Sequence, residues 1–391
     1  MSEFDKIIDR RGTSSIKFDN PEKRGHRKDE LSLWVADMDL MTAPDVIADL
    51  KKRIDHGIFG YTDTPDEYRE AVCGWFLRQH GWKAEKEWIV TTPGVVFALA
   101  TAVRAFTEKG DNVLIQPPVY YPFFNVIREN ERTILENILI YKEGRYEIDF
   151  EDLERKLSDE RTKMMIFCSP HNPVGRVWEK EEIVRAFDLC KKYGVLLVSD
   201  EIHCDFTWRE GGFTSLGSLD KSYLENAIVC TAPSKTFNLA GLQISNIFVP
   251  NKTLRSRFKA EISKTGYDEA GALGLTACYS AYTKGEKWLS ELKTYLKGNI
   301  DFLNAYVKEN IPVLKVIETQ GTYLVWIDFG KTGLSGKELD DFIREKAGLW
   351  LDDGSLFGKT GASFQRINIA CSREYLKKAL ERLKDAINSL A

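Results

Sequence analysis

The chain has 391 residues, 43% of them hydrophobic and 29% charged, and its 55 basic and 59 acidic residues leave a formal net charge of −4. This composition excludes extended disorder, and the scattered, nearly balanced charge disfavours a nucleic-acid binder or a basic membrane-surface protein. No apolar run approaches the roughly 18 residues of a membrane span, and no apolar signal segment is visible, so we expect a cytoplasmic protein. Seven cysteines without a CxxC pair disfavour both a disulfide framework and a structural zinc site.

Short apolar runs alternate with segments of helical periodicity through the middle of the chain. The runs cover residues 88–91, 112–115, 164–168, 194–198 and 228–230. Because each run is almost wholly apolar, we expect strands covered on both faces in a mostly parallel sheet. Apolar stripes predict helices after Gly94, over residues 183–193, over residues 288–307 and over residues 376–390.

The alternation of strands and helices weakens beyond about residue 284, which suggests two domains. We expect a large α/β domain over residues 46–284. Residues 1–45 and 285–391 would then form a smaller domain built from both ends of the chain.

Two unusual segments follow the first and third predicted strands. In residues 92–96 (TPGVV), Gly94 precedes a helix, and the free N–H groups of a helix start bind phosphate well. Taken alone, this segment is more often an ordinary strand–helix turn. In residues 171–175 (HNPVG), the amide of Asn172 can donate to a ring oxygen, or it can simply bond its own backbone.

Two more segments follow the next strands. In residues 199–203 (SDEIH), a buried Asp200 needs a partner, and a protonated ring nitrogen, a helix cap or an ion pair would each suffice. A lone histidine such as His203 is more often a hydrogen-bonded residue in the wall of a site than a catalytic residue. No HExxH motif is present, so we set metal catalysis aside. In residues 234–242 (SKTFNLAGL), Lys235 is a candidate imine-forming amine, although most lysines are solvated.

The combination of these segments is more informative than any one of them. A phosphate-binding helix start, a ring-oxygen donor, a carboxylate for a ring nitrogen and an imine-forming lysine are the groups that hold pyridoxal 5'-phosphate. In chain order, they follow separate strands of one predicted sheet. An open parallel sheet binds its ligands at this edge.

The segments HNPVG, SDEIH and SKTFNLAGL resemble the pyridoxal-phosphate enzymes of fold type I, in the aminotransferase class I/II group, over essentially the whole chain. Residues 33–39 (LWVADMD) are similar to the signature of the MalY/PatB branch of cystathionine β-lyases. Residues 59–62 and 116–120 are similar to that branch too. The resemblance implies a large domain with a mostly parallel sheet plus a smaller α/β domain.

The resemblance also implies roles for individual residues. Lys235 would form the imine with the cofactor and later remove the substrate α-proton. The cofactor contacts implied for the others are as follows: Asp200 with the ring nitrogen, Asn172 and His203 near the ring hydroxyl, Tyr120 and Ile202 on the two ring faces, and Gly94, Val95, Val96 and Ser234 around the phosphate. Tyr61 would reach the phosphate in a neighbouring subunit, which makes the active unit a homodimer with its sites at the interface. Arg366 would clamp the substrate carboxylate, or else form a structural ion pair, and Val35 and Ala36 would border the substrate.

Two positions depart from the broader aminotransferase group. Gln243 stands where many aminotransferases carry an arginine that bonds the phosphate, and His203 stands where many carry a tyrosine. Tyr121 is an alternative to Tyr120 as the stacking residue. Met38, Tyr267, Tyr323 and Trp350 are candidate pocket residues, although such side chains more often belong to the core.

The resemblance implies a carbon–sulfur β-lyase. It would act on cystathionine or cysteine-type substrates and release a thiol (homocysteine or sulfide), pyruvate and ammonia. The first chemical steps are shared with an aminotransferase of the same fold, which is the alternative. A non-catalytic regulator with this fold is a minor alternative.

Overall fold

The structure is a computed structural model that describes residues 3–390. Strands and helices alternate along most of these residues. The strands, β1 to β15 in chain order, are Leu31–Ser32, Ile89–Thr92, Asn112–Ile115, Thr133–Glu136, Ile140–Lys142, Arg145–Glu147, Thr162–Cys168, Leu196–Asp200, Ala227–Thr231, Ser245–Phe248, Lys315–Val316, Leu324–Asp328, Leu349–Trp350, Asp352–Asp353 and Phe364–Asn368.

The α-helices lie mainly between the strands, and a few short 3₁₀ turns join them. The helices, α1 to α13 in chain order, are Pro44–Asp55, Asp66–His80, Val95–Phe106, Pro122–Arg128, Phe150–Leu157, Lys180–Lys192, Lys221–Leu224, Pro233–Thr236, Lys252–Ser263, Ala272–Lys284, Glu286–Asn310, Gly336–Glu345 and Arg373–Asn388. The helices predicted from the apolar stripes correspond to α3, α6, α11 and α13.

A seven-stranded sheet in the order β2-β10-β9-β8-β7-β3-β4 forms the centre of the molecule. β10 runs antiparallel to both of its neighbours, and the other pairs are parallel, which confirms the prediction of a mostly parallel sheet. The register places Cys168, Asp200 and Cys230 side by side on β7, β8 and β9. The segments that follow these three strands therefore leave the sheet at the same edge.

Four of the five predicted strands have different bounds in the structure. β7 begins at Thr162, before the predicted residue 164, and β9 extends beyond residues 228–230 at both ends. The strand expected over residues 88–91 is β2, which begins one residue later because Trp88 ends a 3₁₀ turn. The strand expected over residues 194–198 is β8, which starts at Leu196 and includes Asp200. Gly194 has a left-handed φ of 67°, which an extended strand does not allow, and this delays the start of β8.

Alternate residues of the central strands pack on opposite faces of the sheet. On β7, Met165 and Phe167 belong to one apolar cluster, whereas Met164 and Ile166 belong to the other. Residues of α6 complete the first cluster and residues of α3 the second. Because helices cover both faces, the central strands carry apolar residues at almost every position.

A smaller sheet holds the C-terminal strands. Its order is β11-β12-β15-β14, with every pair antiparallel, and Arg366 of β15 lies opposite Trp326 and Asp352. Near the other end of the chain, β1 pairs in parallel with β13. This pairing brings the N-terminal segment beside the C-terminal strands, but the domain boundaries at residues 45/46 and 284/285 stay a prediction.

Over residues 3–390, none of the helices is both long and apolar enough to cross a lipid bilayer. All seven cysteines are free thiols, and all except Cys73 are buried.

Candidate active site

A cavity of about 190 Å³ lies at the edge of the sheet where β7 and β8 end. The start of α3, the single turn of α8 and the loop after it complete its walls. Its lining residues are Ala36, Pro93, Gly94, Val95, Val96, Tyr120, Cys168, Asn172, Asp200, Ile202, His203, Ser234, Lys235, Ala240, Gln243 and Ile244. The cavity thus brings together all of the site residues implied by the family resemblance, except Tyr61, Val35 and Arg366.

Lys235 lies on α8, directly after β9, and its side chain is partly buried. Its Nζ donates a hydrogen bond to the backbone oxygen of Ala36 at 2.8 Å. Burial lowers the pKa of the Lys235 amine to about 8; Arg366 lowers it further, whereas Asp37 and Asp200 raise it. About a tenth of this amine is therefore unprotonated at pH 7, far more than of an ordinary lysine, and the unprotonated form is the one that a nucleophile or a base requires.

Asp200 is the last residue of β8, and only 4% of it is exposed. Its Oδ1 accepts a hydrogen bond from the backbone N–H of Ile202 at 3.1 Å. Burial raises the pKa of the carboxyl to about 7, although this hydrogen bond and Lys235 lower it. Within residues 3–390 no cation forms an ion pair with Asp200, so a positively charged ligand group is the partner that would keep it ionised.

Asn172 and Arg366 are joined beside the cavity. Arg366 donates from Nη1 to Oδ1 of Asn172 at 3.0 Å and from Nη2 to the backbone oxygen of Trp34 at 2.8 Å. Nη2 also forms a buried ion pair with Asp352, whose pKa burial raises to about 6 against the opposing effect of Arg366. The structural ion pair expected as one alternative for Arg366 is therefore present. Its position next to Asn172 is compatible with the carboxylate-binding role as well.

His203 is buried at the cavity wall, and its Nδ1 has no hydrogen-bond partner among the described residues. Burial lowers the pKa of the imidazole well below its ordinary value, and Lys235 and Arg366 add to this effect. The ring is therefore neutral at neutral pH, with an unused nitrogen. The ring of Tyr323 meets it edge to face at 5.9 Å between centroids.

Of the two adjacent tyrosines, Tyr120 lines the cavity and Tyr121 does not. Tyr121 packs against Phe357 instead, with ring centroids 5.6 Å apart. This placement favours Tyr120 as the stacking residue. Across the cavity, the partly exposed side chain of Ile202 provides a second apolar wall.

The start of α3 forms one end of the cavity. Gly94 precedes the helix in an extended conformation, and no atom lies within 4 Å of the position that a Cβ would occupy there. The N–H groups of Val95 and Val96 belong to the first turn, where a helix has no internal acceptors for them. Ser234 and Gln243 also border the cavity. This end provides hydrogen-bond donors suited to an anion.

The three predicted residues outside the cavity differ in their surroundings. Tyr61 is 98% exposed, on a loop between α1 and α2. Val35 is next to the lining residue Ala36, and its backbone oxygen accepts a hydrogen bond from Asn368 Nδ2 at 2.5 Å. Arg366 reaches the cavity through Asn172. The other candidate pocket residues, Met38, Tyr267, Tyr323 and Trp350, do not line the cavity.

Sequence reasoning missed several lining residues. Cys168 could have been found from the strand register, because it lies beside Asp200. Ala240 and Ile244 carry no chemical signal. Gln243 was identified only as a departure from related enzymes, and it lines the cavity with a left-handed φ of 49°.

A buried cluster of potential metal ligands lies near this site. His80, Cys204 and Asp205 place one ligand atom each within 4.8 Å of the others. His80 Nε2 and Asp205 Oδ1 are only 2.8 Å apart, closer than the roughly 3.4 Å expected between two ligands of a tetrahedral zinc ion. The other carboxylate oxygen of Asp205 accepts a hydrogen bond from Thr236 at 2.6 Å. The geometry is that of a hydrogen-bonded chain that ends beside Lys235.

Comparisons with known proteins identify the family of this chain. A family model for aminotransferase class I and II matches residues 28–383. The chain is 44% identical to cystathionine beta-lyase PatB of Bacillus subtilis over 98% of this chain and 100% of that protein. It is 31% identical to Protein MalY of Escherichia coli, over 100% of both chains.

A solved structure shows the same fold. The crystal structure of cystalysin from Treponema denticola, which contains a pyridoxal 5'-phosphate cofactor, superimposes with a TM-score of 0.96 at 39% identity, covering 99% of each chain. These similarities extend over the cavity and both ends of the chain. The chain belongs to the aminotransferase class I and II family, in the branch that includes PatB and MalY.

Proposed function

We propose that this chain is a pyridoxal-phosphate-dependent carbon–sulfur β-lyase, which removes a thiol from a sulfur-containing amino acid by α,β-elimination. Homocysteine from cystathionine, or sulfide from cysteine, would be the thiol product, with pyruvate and ammonia. The observation that carries the proposal is the 44% identity, over nearly the full length, to the Bacillus subtilis cystathionine beta-lyase. The residues of the cavity support it.

Asp200 suits the protonated ring nitrogen of the cofactor, and Lys235 suits its aldehyde group. A carboxylate that is buried without a cation is unfavourable, and the N–H of a protonated pyridine ring would supply the missing charge. Lys235 borders the same cavity with a depressed pKa, which suits imine formation with an aldehyde. When bound, the cofactor supplies an electron sink for the negative charge that forms at the substrate α-carbon.

The remaining groups fit the rest of the cofactor. Asn172 uses its oxygen on Arg366, which leaves its NH₂ free to donate to the ring hydroxyl oxygen. The unused Nδ1 of His203 offers a second polar contact at this wall. Tyr120 and Ile202 would enclose the two ring faces. The first N–H groups of α3, with Ser234, would hold the phosphate.

Lys235 is the proposed base that removes the substrate α-proton. With a pKa of about 8, roughly a quarter of the amine is unprotonated at pH 7.5, against about one part in a thousand for an ordinary lysine. The backbone oxygen of Ala36 accepts from Nζ at 2.8 Å and would hold the ammonium that results. The same lysine can then give up its proton to a leaving group.

Arg366 is the proposed partner of the substrate carboxylate. Its Nε has no acceptor among the described residues, and Nη1 uses only one of its two hydrogens on Asn172. The second Nη1 hydrogen can donate to a substrate carboxylate, whereas both hydrogens of Nη2 are used on the backbone oxygen of Trp34 and on Asp352. The ion pair with Asp352 would fix the orientation of the guanidinium. Ala36 and Val35 would border the same substrate.

We also propose a homodimer in which Tyr61 serves the site of the partner subunit. Tyr61 is 98% exposed, and its neighbours Ile58 and Phe59 are 67% and 58% exposed, an unusual apolar loop for a free surface. A groove of about 720 Å³ lies next to it, lined by residues of α1, α10 and the loop that includes Thr62. The cytoplasmic location stays a prediction, supported by the seven free thiols.

The decisive experiment is a product assay without any keto acid. Purified protein supplied with the cofactor is incubated with cystathionine, cysteine and S-alkyl cysteines, and thiol, pyruvate and ammonia are measured. We expect the three products in equal amounts, and their loss in Lys235→Ala. Lys377→Ala, which changes an exposed lysine on α13, is the matched control and keeps full activity.

An aminotransferase is the second candidate, because the family model carries that description. It would produce no pyruvate from cystathionine and would turn over only when a keto acid is added. Absence of any turnover would contradict both reactions and leave a non-catalytic role.

A further inference from the structure

The segment of residues 34–40 is fixed to the candidate active site through its backbone. Asn368 Nδ2 donates to the carbonyl oxygens of Val35 and Asp37, at 2.5 and 2.6 Å. Asn238 Nδ2 donates to the carbonyl oxygens of Met38 and Leu40, both at 2.9 Å. These two asparagines come from the last strand and from the loop after Lys235. The segment therefore cannot shift independently of either.

The carbonyl of Ala36 lies at the centre of this segment. It accepts hydrogen bonds from Nζ of Lys235 at 2.8 Å and from the hydroxyl of Tyr323 at 2.9 Å. Tyr323 is fully buried, so its hydroxyl fixes the direction of this carbonyl. Asp37 is the next residue, and its negative charge acts on the amine of Lys235.

Asp37 is itself held by an arginine from the N-terminal segment. Arg10 donates to both carboxylate oxygens of Asp37, at 3.0 Å from Nη1 and 2.5 Å from Nη2. Arg10 also bonds Asp39 at 2.8 Å, and Lys17 bonds the other oxygen of Asp39 at 2.7 Å. About four fifths of the side-chain surfaces of Arg10 and Asp37 are buried, at 22% and 21% exposure, so solvent screens this pair only in part.

We propose that Asp37 is a positioning residue that sets how strongly the Lys235 amine holds a proton, and that Arg10 tunes this effect from the N-terminal segment. The inference rests on the proposed function only in taking Lys235 as the reactive amine. Asp37 favours the ammonium form of that amine, and Arg10 offsets part of this by neutralising Asp37. The pair thus adjusts the balance between an amine that accepts a proton and an ammonium that can release it.

The other charged groups around the amine are accounted for. Asp200 raises the pKa of Lys235, whereas burial and Arg366 lower it. His203 faces the amine as a neutral ring. Burial raises the pKa of the Tyr323 phenol, and the negative charge of Asp37 raises it further, so this phenol is un-ionised. Among the described residues, Asp37 is therefore the one charged group acting on this amine that the proposed catalysis does not itself use, and Arg10 is its ion-pair partner.

The test measures the amine directly in the full-length protein freed of cofactor. The protein is treated with a trace of acetic anhydride at several pH values, and acetylation of Lys235 is quantified by peptide mass spectrometry. We expect Asp37→Asn to lower the midpoint of the labelling curve by about half a pH unit or more, and Arg10→Gln to raise it by a similar amount. Such a shift changes the unprotonated fraction about threefold near neutral pH. Asp37→Glu should restore the wild-type midpoint.

Asp39→Asn is the matched control, because Asp39 shares Arg10 and the same network but does not act on Lys235. Its midpoint should stay at the wild-type value. An unchanged midpoint in Asp37→Asn, or an equal shift in Asp39→Asn, overturns the proposal. If Asp37→Asn does not fold, Arg10→Gln alone decides the question. A lower or unchanged midpoint of the Lys235 labelling curve in Arg10→Gln contradicts the inference. Labelling needs no substrate, so a wild-type protein without lyase activity would refute the proposed function and leave this measurement intact.

Discussion

Replacing Lys235 by methionine should make the cofactor-free protein more stable at neutral pH, although it destroys the proposed activity. The amine has a pKa of about 8 in the folded chain against an ordinary 10.5, so the folded state disfavours the ammonium. Each pKa unit corresponds to about 1.4 kcal/mol, which gives roughly 3 kcal/mol of destabilisation below pH 8. Loss of the hydrogen bond to Ala36 offsets about 1 kcal/mol of this. The net gain is about 2 kcal/mol for Lys235→Met.

The sign of the pH dependence follows from the same shift. Below pH 8 both the folded and the unfolded wild type are protonated, so the full penalty is present. Between pH 8 and 10.5 the unfolded chain binds more protons, wild-type stability rises, and the advantage of Lys235→Met fades.

Urea unfolding of both proteins without cofactor, at pH 7, 8, 9 and 10, measures this difference directly. Groups common to both proteins cancel, and Lys377→Met controls for removal of an exposed lysine. Equal stabilities at pH 7, or a difference that is the same at pH 7 and pH 10, would refute the reasoning.

Three further predictions concern the same structure. Because burial raises the pKa of Asp200 to about 7, its carboxylate destabilises the cofactor-free fold above pH 7 and ceases to do so near pH 4. Asp200→Asn should therefore unfold at a higher urea concentration than wild type at pH 8, and this gain in stability should shrink toward pH 4. Titration with the cofactor should show that this variant binds it more weakly. Gly217→Ala places a Cβ about 2.0 Å from the Trp82 ring and should lower the melting temperature, whereas Gly271→Ala meets nothing within 4 Å and should not. Arg366→Met should raise the substrate KM at least about tenfold. Because this change also leaves Asp352 buried and unpaired, the double variant with Asp352→Asn should recover stability in a melting assay but should keep the raised KM. Recovery of the wild-type KM in the double variant would rule out the carboxylate-binding role.

The fold class follows from the sequence because the central strands are covered on both faces. Runs such as residues 164–168 carry apolar side chains at almost every position. A sheet that is covered on both faces requires this pattern, whereas a sheet with one face in solvent needs apolar residues only at alternate positions. β10 was not predicted, because Ser245 and Asn246 interrupt its apolar pattern. The structure shows their partners, Thr92 and Tyr68, which lie far away in the chain. Local patterns cannot reveal such hydrogen bonds.

The candidate site was predictable where a residue type and a strand end coincide. Asp200, Asn172 and Lys235 each follow or end a predicted strand, and parallel strands bring their ends to one edge. The partner of Arg366 was not predictable, because the register of β14 against β15 decides that Asp352 lies opposite. The hydrogen bond from Lys235 to the Ala36 carbonyl was equally hidden, since a backbone acceptor carries no signal in the sequence.

That hydrogen bond spans 199 positions of the chain, and Arg366 lies a further 131 positions beyond Lys235. No short contiguous fragment can therefore hold the amine, its carbonyl acceptor and the guanidinium together. During synthesis, residues 34–40 are made before the two asparagines that fix them, Asn238 and Asn368. The Lys235 amine accordingly acquires its complete surroundings only after Arg366 and Asn368 have been synthesised, so the proposed chemistry cannot begin before that point of translation.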